Sequence, residues 1–126
     1  MQKSDLIKIE VQTNYKGQHR DGLGDIQHFF SYTITINNSG AQPAKLINRH
    51  WIITDGNNYV EEVRGKGVVG EQPYLNPGEY FQYTSSAVLK TPVGTMEGEY
   101  EMEYDSGERF FAPIPVFSLV VQDKLH

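Results

Sequence analysis

A chain of 126 residues with no cysteine can bury one ordinary hydrophobic core, and it excludes both a disulfide framework and a thiolate metal site. The net charge of −5 repels phosphate backbones weakly, so no nucleic acid is expected as a partner. The most apolar run, Val116 to Val121, carries Ser118 and falls far short of the roughly 20 residues a bilayer span needs, so no membrane insertion is expected.

The start of the chain, Met1 to Lys8, has no apolar stretch and no small-residue cleavage site, so no export signal is expected. With the absence of cysteine this fits a cytoplasmic protein. From there the dominant periodicity is two, the mark of half-buried strands. Ile7, Ile9 and Val11 alternate with Lys8, Glu10 and Gln12. A polar, glycine-containing stretch follows, flanked by His19 and His28 and holding Asp21 and Asp25. It reads as a solvated connection between the first two strands, with convergence of the histidines as the alternative. Phe30, Tyr32, Ile34 and Ile36 make the second strand, which Asn37-Asn38-Ser39-Gly40 ends.

Leu46 to Asp55 is expected to be a central strand with Trp51 buried and His50 on the opposite face. After the turn Asp55-Gly56-Asn57 comes a short strand over Asn58 to Val63, and later another over Tyr80 to Ala87. Asn76-Pro77-Gly78, Pro92-Val93-Gly94 and Asp105-Ser106-Gly107 are read as turns. Met96, Gly98, Tyr100, Met102 and Tyr104 alternate with four glutamates, and Phe117, Leu119 and Val121 form the last strand. No window shows sustained helical spacing. About seven short strands with these turns predict a single all-β domain spanning residues 1–126. Its expected form is a two-sheet antiparallel sandwich, immunoglobulin-like or fibronectin type III-like, with a barrel as the alternative.

Candidate chemistry is sparse. Gly65-Lys66-Gly67-Val68-Val69-Gly70 is a literal G-x-G-x-x-G, but Glu71-Gln72-Pro73-Tyr74-Leu75-Asn76-Pro77-Gly78 after it cannot build the helix whose N-terminus would hold a pyrophosphate. The glycines are better read as permitting positive φ or close backbone approach. Lys66 near Arg64 could still bind an anion or a partner's carboxylate, so Arg64, Gly65, Lys66, Gly67 and Gly70 stand as candidates for that role. Glu97, Glu99, Glu101 and Glu103 share one strand face, read as solvated, with a basic partner surface as the functional alternative. The four histidines, His19, His28, His50 and His126, form no ligand-spaced pair, so no tight metal site is expected. No cysteine nucleophile and no G-x-S-x-G elbow is present, and neither an enzyme nor a cofactor is expected.

From Arg49 onward the text resembles the ApaG family, also called CorD. The resemblance rests on Arg49-His50-Trp51-Ile52-Ile53-Thr54-Asp55 and on Val63-Arg64-Gly65-Lys66-Gly67-Val68-Val69-Gly70-Glu71-Gln72-Pro73. It continues in Pro77-Gly78, Phe81-Gln82-Tyr83-Thr84-Ser85, and Thr91-Pro92-Val93-Gly94-Thr95-Met96-Glu97-Gly98-Glu99-Tyr100, and ends on Phe111 and Ile114-Pro115-Val116-Phe117-Ser118-Leu119. The resemblance implies a fibronectin type III-like fold. It also implies the association with cobalt resistance and magnesium efflux that bacterial members carry, by a mechanism not established. Similar domains in eukaryotic F-box and polymerase-delta-interacting proteins point to protein–protein contact. The leading expectation is therefore a non-enzymatic domain that binds an unknown protein partner. A small-anion or nucleotide binder at residues 65–70 and a direct divalent-metal binder are the rivals.

Overall fold

The computed structural model describes residues 6–121, so His126 and the first residues of the chain lie outside the described part. Eight strands follow one another: β1 (Ile7–Arg20), β2 (Ile26–Asn38), β3 (Ala44–Asp55), β4 (Val60–Lys66), β5 (Tyr74–Leu75), β6 (Tyr80–Leu89), β7 (Val93–Tyr104) and β8 (Arg109–Val120). All pairings are antiparallel. One sheet has the order β1-β2-β6; the other has β4-β3-β7-β8, with β5 added beside β3. Both sheets keep open edges, so the fold is a sandwich and not a barrel. Among the described residues no helix is long and apolar enough to cross a membrane.

The alternation seen in the sequence becomes the core. Phe30, Ile34 and Ile36 of β2 face Trp51, Met96, Tyr100 and Met102 of the opposite sheet, all buried. Trp51, 3% exposed, meets Tyr32, Tyr100 and Phe117 edge-on or tilted, the geometry aromatic quadrupoles favour. Two inward hydroxyls, of Tyr83 and Tyr100, bond each other at 2.5 Å. Burial pushes both phenols well above their ordinary range.

Several sequence expectations shift. The solvated connection between the first strands narrows to residues 21–25, because β1 runs on to Arg20 through a register shift at Tyr15/Gly17 and β2 begins at Ile26. His28 is buried on the inner face, with the Tyr15 hydroxyl 3.2 Å from Nδ1. His19 packs edge-on against Phe29 on the outer face, so the two histidines do not converge. β5 lies in the stretch read as loop. Val93 and Gly94, read as a turn, begin β7. β8 starts earlier than expected and contains Pro113 and Pro115, which it tolerates because it is an edge strand.

Candidate functional site

The outer face of the β4-β3-β7-β8 sheet begins with a defect in β3. Leu46 pairs with Met102 while Asn48 pairs with Glu101, so Ile47 is an extra residue and the alternation of β3 inverts there. Leu46 points into the core before the bulge, and Trp51 does so after it. The inversion is what turns Asn48 and His50 outward.

The glycine motif holds that bulge. The Ile47 carbonyl accepts from Gly67 N–H at 2.8 Å and from Gln72 Nε2 at 3.0 Å, and Leu46 N–H donates to the Pro73 carbonyl at 2.9 Å. Each glycine has its own reason. A Cβ on Gly65 would lie 2.6 Å from the guanidinium carbon of Arg49, which crosses there to donate to the carbonyls of Lys66 and Gly67. Gly67 has φ +63, and a Cβ there would meet the Glu71 carbonyl oxygen at 2.2 Å. Gly70, at φ +83, is the second residue of a tight turn closed by reciprocal Val68–Glu71 hydrogen bonds; Val69 takes the first place at φ 43. The N–H groups of Gly67, Val68 and Glu71 are thus engaged within the protein. A strand, β5, follows the motif where a dinucleotide loop has a helix.

Gly65 and Lys66 are the end of β4 and not part of a loop, and Arg64 and Lys66 alternate with Gly65 onto the outer face. Register then lays charges out in rows across four strands. One row reads Arg64, His50, Glu99, Pro113, and the next reads Lys66, Asn48, Glu101, Phe111. In these two rows the β4 end is cationic, β3 supplies neutral or titratable polar groups, and β7 supplies carboxylates; the adjacent outward position of β4 is Glu62, 3.8 Å from Arg64.

A groove of about 470 Å³ runs over these rows, lined by Arg64, Lys66, Asn48, His50, Glu101 and Phe111 among others. Of the five candidates, Arg64, Gly65 and Lys66 border it; Gly67 and Gly70 do not. The glutamate ladder lies on this face but is not a bare solvated row. Asn48 Nδ2 donates to Glu101 at 2.7 Å, and Arg109 reaches Glu103 at 2.9 Å and Glu101 at 3.5 Å. His50 lies between Glu62, 3.8 Å from Nε2, and Glu99, 4.0 Å from Nδ1. Its Nε2 is buried without a hydrogen-bond partner. Lys66 has no ion-pair partner among the described residues, and Phe111 is 54% exposed. Among the described residues no group of three or more His, Asp or Glu side chains is arranged to hold a metal ion.

The sequence pointed to the β4 end of this face and to the glutamates, but not to Asn48, Arg109 or Phe111. Phe111 and Arg109 carry a signal in hindsight: they alternate with the inward Phe110 and Ala112 on one strand. Asn48 carries none, because its direction depends on the bulge.

The ApaG domain family profile matches residues 19–104. A protein of Azoarcus sp. (strain BH72) named Protein ApaG is 50% identical over 127 residues, covering 100% of both chains. The chain belongs to the ApaG family. A further Protein ApaG, of Ralstonia nicotianae, is 51% identical over 120 residues, covering 95% of this chain and 96% of that one. Among solved structures, the X-ray structure of a Northeast Structural Genomics Consortium target superposes with a TM-score of 0.93 at 50% identity, over 98% of this chain and 92% of that one. A crystal structure from Bordetella pertussis gives 0.84 at 47% identity, over 91% and 93%. The ApaG sandwich is therefore shared by experimental structures at about half sequence identity.

Proposed function

We propose that this ApaG domain is a non-enzymatic binding module that docks a partner protein on the outer face of the five-stranded sheet. The observation that carries the reading is the charge gradient along two rows of that face, from Arg64 and Lys66 on β4 to Glu99 and Glu101 on β7, with an exposed aromatic ring, Phe111, beside them. A protein surface bearing an acidic and a basic group at matching separation complements such a gradient. Phe111 then supplies the apolar contact that interface centres are enriched in. The unpartnered His50 Nε2 is a polar group that a docked segment can satisfy. On this reading the cobalt and magnesium association implied for the family passes through the partner, in the cytoplasm, with no cofactor on this chain.

The test is affinity capture from bacterial lysate with mass-spectrometric identification, run in parallel on the wild type, on Lys66→Glu with Arg64→Glu, and on Phe111→Ser. Partners lost from both variants and kept by a Thr33→Glu control on the other sheet support the reading. An identical capture profile for all four proteins rules out this face.

A further inference from the structure

The four edges of the sandwich are not equally protected against strand addition. An edge strand exposes unpaired N–H and C=O groups, and proteins blunt it with charge, proline or a bulge. β1 carries Lys8, Glu10 and Lys16 and a register shift at Tyr15/Gly17. β4 carries Glu61, Glu62, Arg64 and Lys66. β8 carries Arg109, Pro113 and Pro115 and lies beside a register shift opposite Met96/Gly98. β6 has none of these devices. Tyr80–Leu89 contains no charged residue, proline or glycine, and its pairing with β2 runs without a shift. It is an edge because its sheet has the order β1-β2-β6.

The sequence of β6 also suits pairing with itself. Placed antiparallel about a twofold axis through Thr84, it sets Thr84 against Thr84 and Gln82 against Ser86 of the second copy. Tyr80 then faces Val88. These are outer-face positions, where Tyr80 and Val88 are exposed. Hydroxyl–hydroxyl and aromatic–β-branched neighbours are among the stabilising cross-strand pairs. On the inner face the same register sets Phe81 against Ala87 and Tyr83 against Ser85, each large side chain opposite a small one. The strand is uncharged, so the chain's overall acidity creates no repulsion along the contact itself.

We infer that β6 is a homotypic docking edge, on which a second copy of this chain adds its own β6 to form a continuous six-stranded antiparallel sheet. The surface is separate from the charged face of the other sheet, so either reading can fail without the other. A twofold arrangement is isologous and closes at two copies.

Sedimentation velocity of the full chain from micromolar to millimolar concentration tests it. The expected result is a reversible monomer–dimer equilibrium. Thr84→Lys, which sets two lysines face to face at the axis, should abolish the dimer and leave the melting temperature of the monomer near that of the wild type. A second pair of variants reads the register. Gln82→Lys with Ser86→Lys should be monomeric, whereas Gln82→Lys with Ser86→Glu should restore the dimer through two Lys–Glu pairs between copies. Residues four apart on one strand are about 13 Å from each other, too far to pair within a chain. A wild type that stays monomeric at millimolar concentration overturns the proposal, as does a dimer that survives both lysine variants. A wild-type monomer that instead takes up a β-forming peptide along β6 also overturns it, and points to a heterologous strand as the occupant.

Discussion

The outer faces of the two sheets are built from different chemistry. On the β1-β2-β6 sheet the neighbours on β2 and β6 are neutral and satisfy one another, with charge confined to β1, as at Lys8 and Glu10: Thr33 and Thr84 share a hydroxyl bond of 2.8 Å, and Gln82 donates to Thr35 at 2.9 Å. On the β4-β3-β7-β8 sheet the face is charged and its pairing is incomplete, with Lys66 unpaired among the described residues and His50 Nε2 unsatisfied. The first sheet leaves its β6 edge open. The second defends its edges with charge and proline and keeps its face available.

The sheets also differ in how they use glycine, and the largest expected effect breaks the comparison there. In the five-stranded sheet Gly98 lies opposite Trp51, and a Cβ on it would come within 2.0 Å of the His50 carbonyl oxygen. Gly98→Ala is expected to cost at least about 4 kcal/mol in urea unfolding, the extreme of single-residue effects, because only backbone can give way. Gly17 of the other sheet, at φ +111, has no atom within 4 Å of a Cβ. Gly17→Ala should therefore cost only the conformational strain, about 1–2 kcal/mol. Equal losses in the two variants would mean the tight β3–β7 approach is not what Gly98 provides.

The buried Tyr83–Tyr100 pair joins the sheets and gives an effect of middle size. Tyr100→Phe leaves the Tyr83 hydroxyl without its partner and should cost about 1–3 kcal/mol, with the double Phe variant losing less than the sum of the two singles. Both phenols are raised in the folded state above the ordinary value of 10.0. Their proton-linked contribution is complete below pH 10.0 and is lost as the pH rises further, because the unfolded chain ionises first. Alkaline unfolding followed by circular dichroism should show this steep decline, and the double Phe variant should flatten it.

The smallest expected effect concerns the charged face itself. Lys66→Ala should change stability by less than about 0.5 kcal/mol, since an exposed unpaired lysine holds nothing together. Millimolar ATP, GTP, NAD or diadenosine polyphosphate should leave the melting temperature of the wild type unchanged. A ligand at one hundred times its Kd adds about 2.7 kcal/mol, and each kcal/mol moves the melt of a domain this size by roughly 3–6 °C. A nucleotide shift of several degrees that vanishes in Lys66→Ala would replace a protein partner with a phosphate ligand on the same β4 cations.

Period-two alternation made the inward sets of β1, β2, β7 and the end of β8 legible in the sequence, because each of those runs holds its phase over the stretch read, and the burial of Trp51 followed from its place as the aromatic of a central strand. Glutamates at alternate positions of β7 were legible as one face for the same reason, and the missing helix after Gly70 was plain from Pro73 and Pro77. Three things depended on tertiary contact. The bulge at Ile47 reverses the phase of β3 in mid-strand, and it is held by Gly67, Gln72 and Pro73, residues distant in the chain. The rows from Arg64 to Glu99 and from Lys66 to Phe111 exist only once the register of β3 against β4 and β7 is set. Which strand becomes an undefended edge is a property of sheet order, which no single strand encodes. Local alternation is written in each strand by the pleat, whereas phase reversals, register and edges are set by hydrogen bonds between segments far apart in sequence.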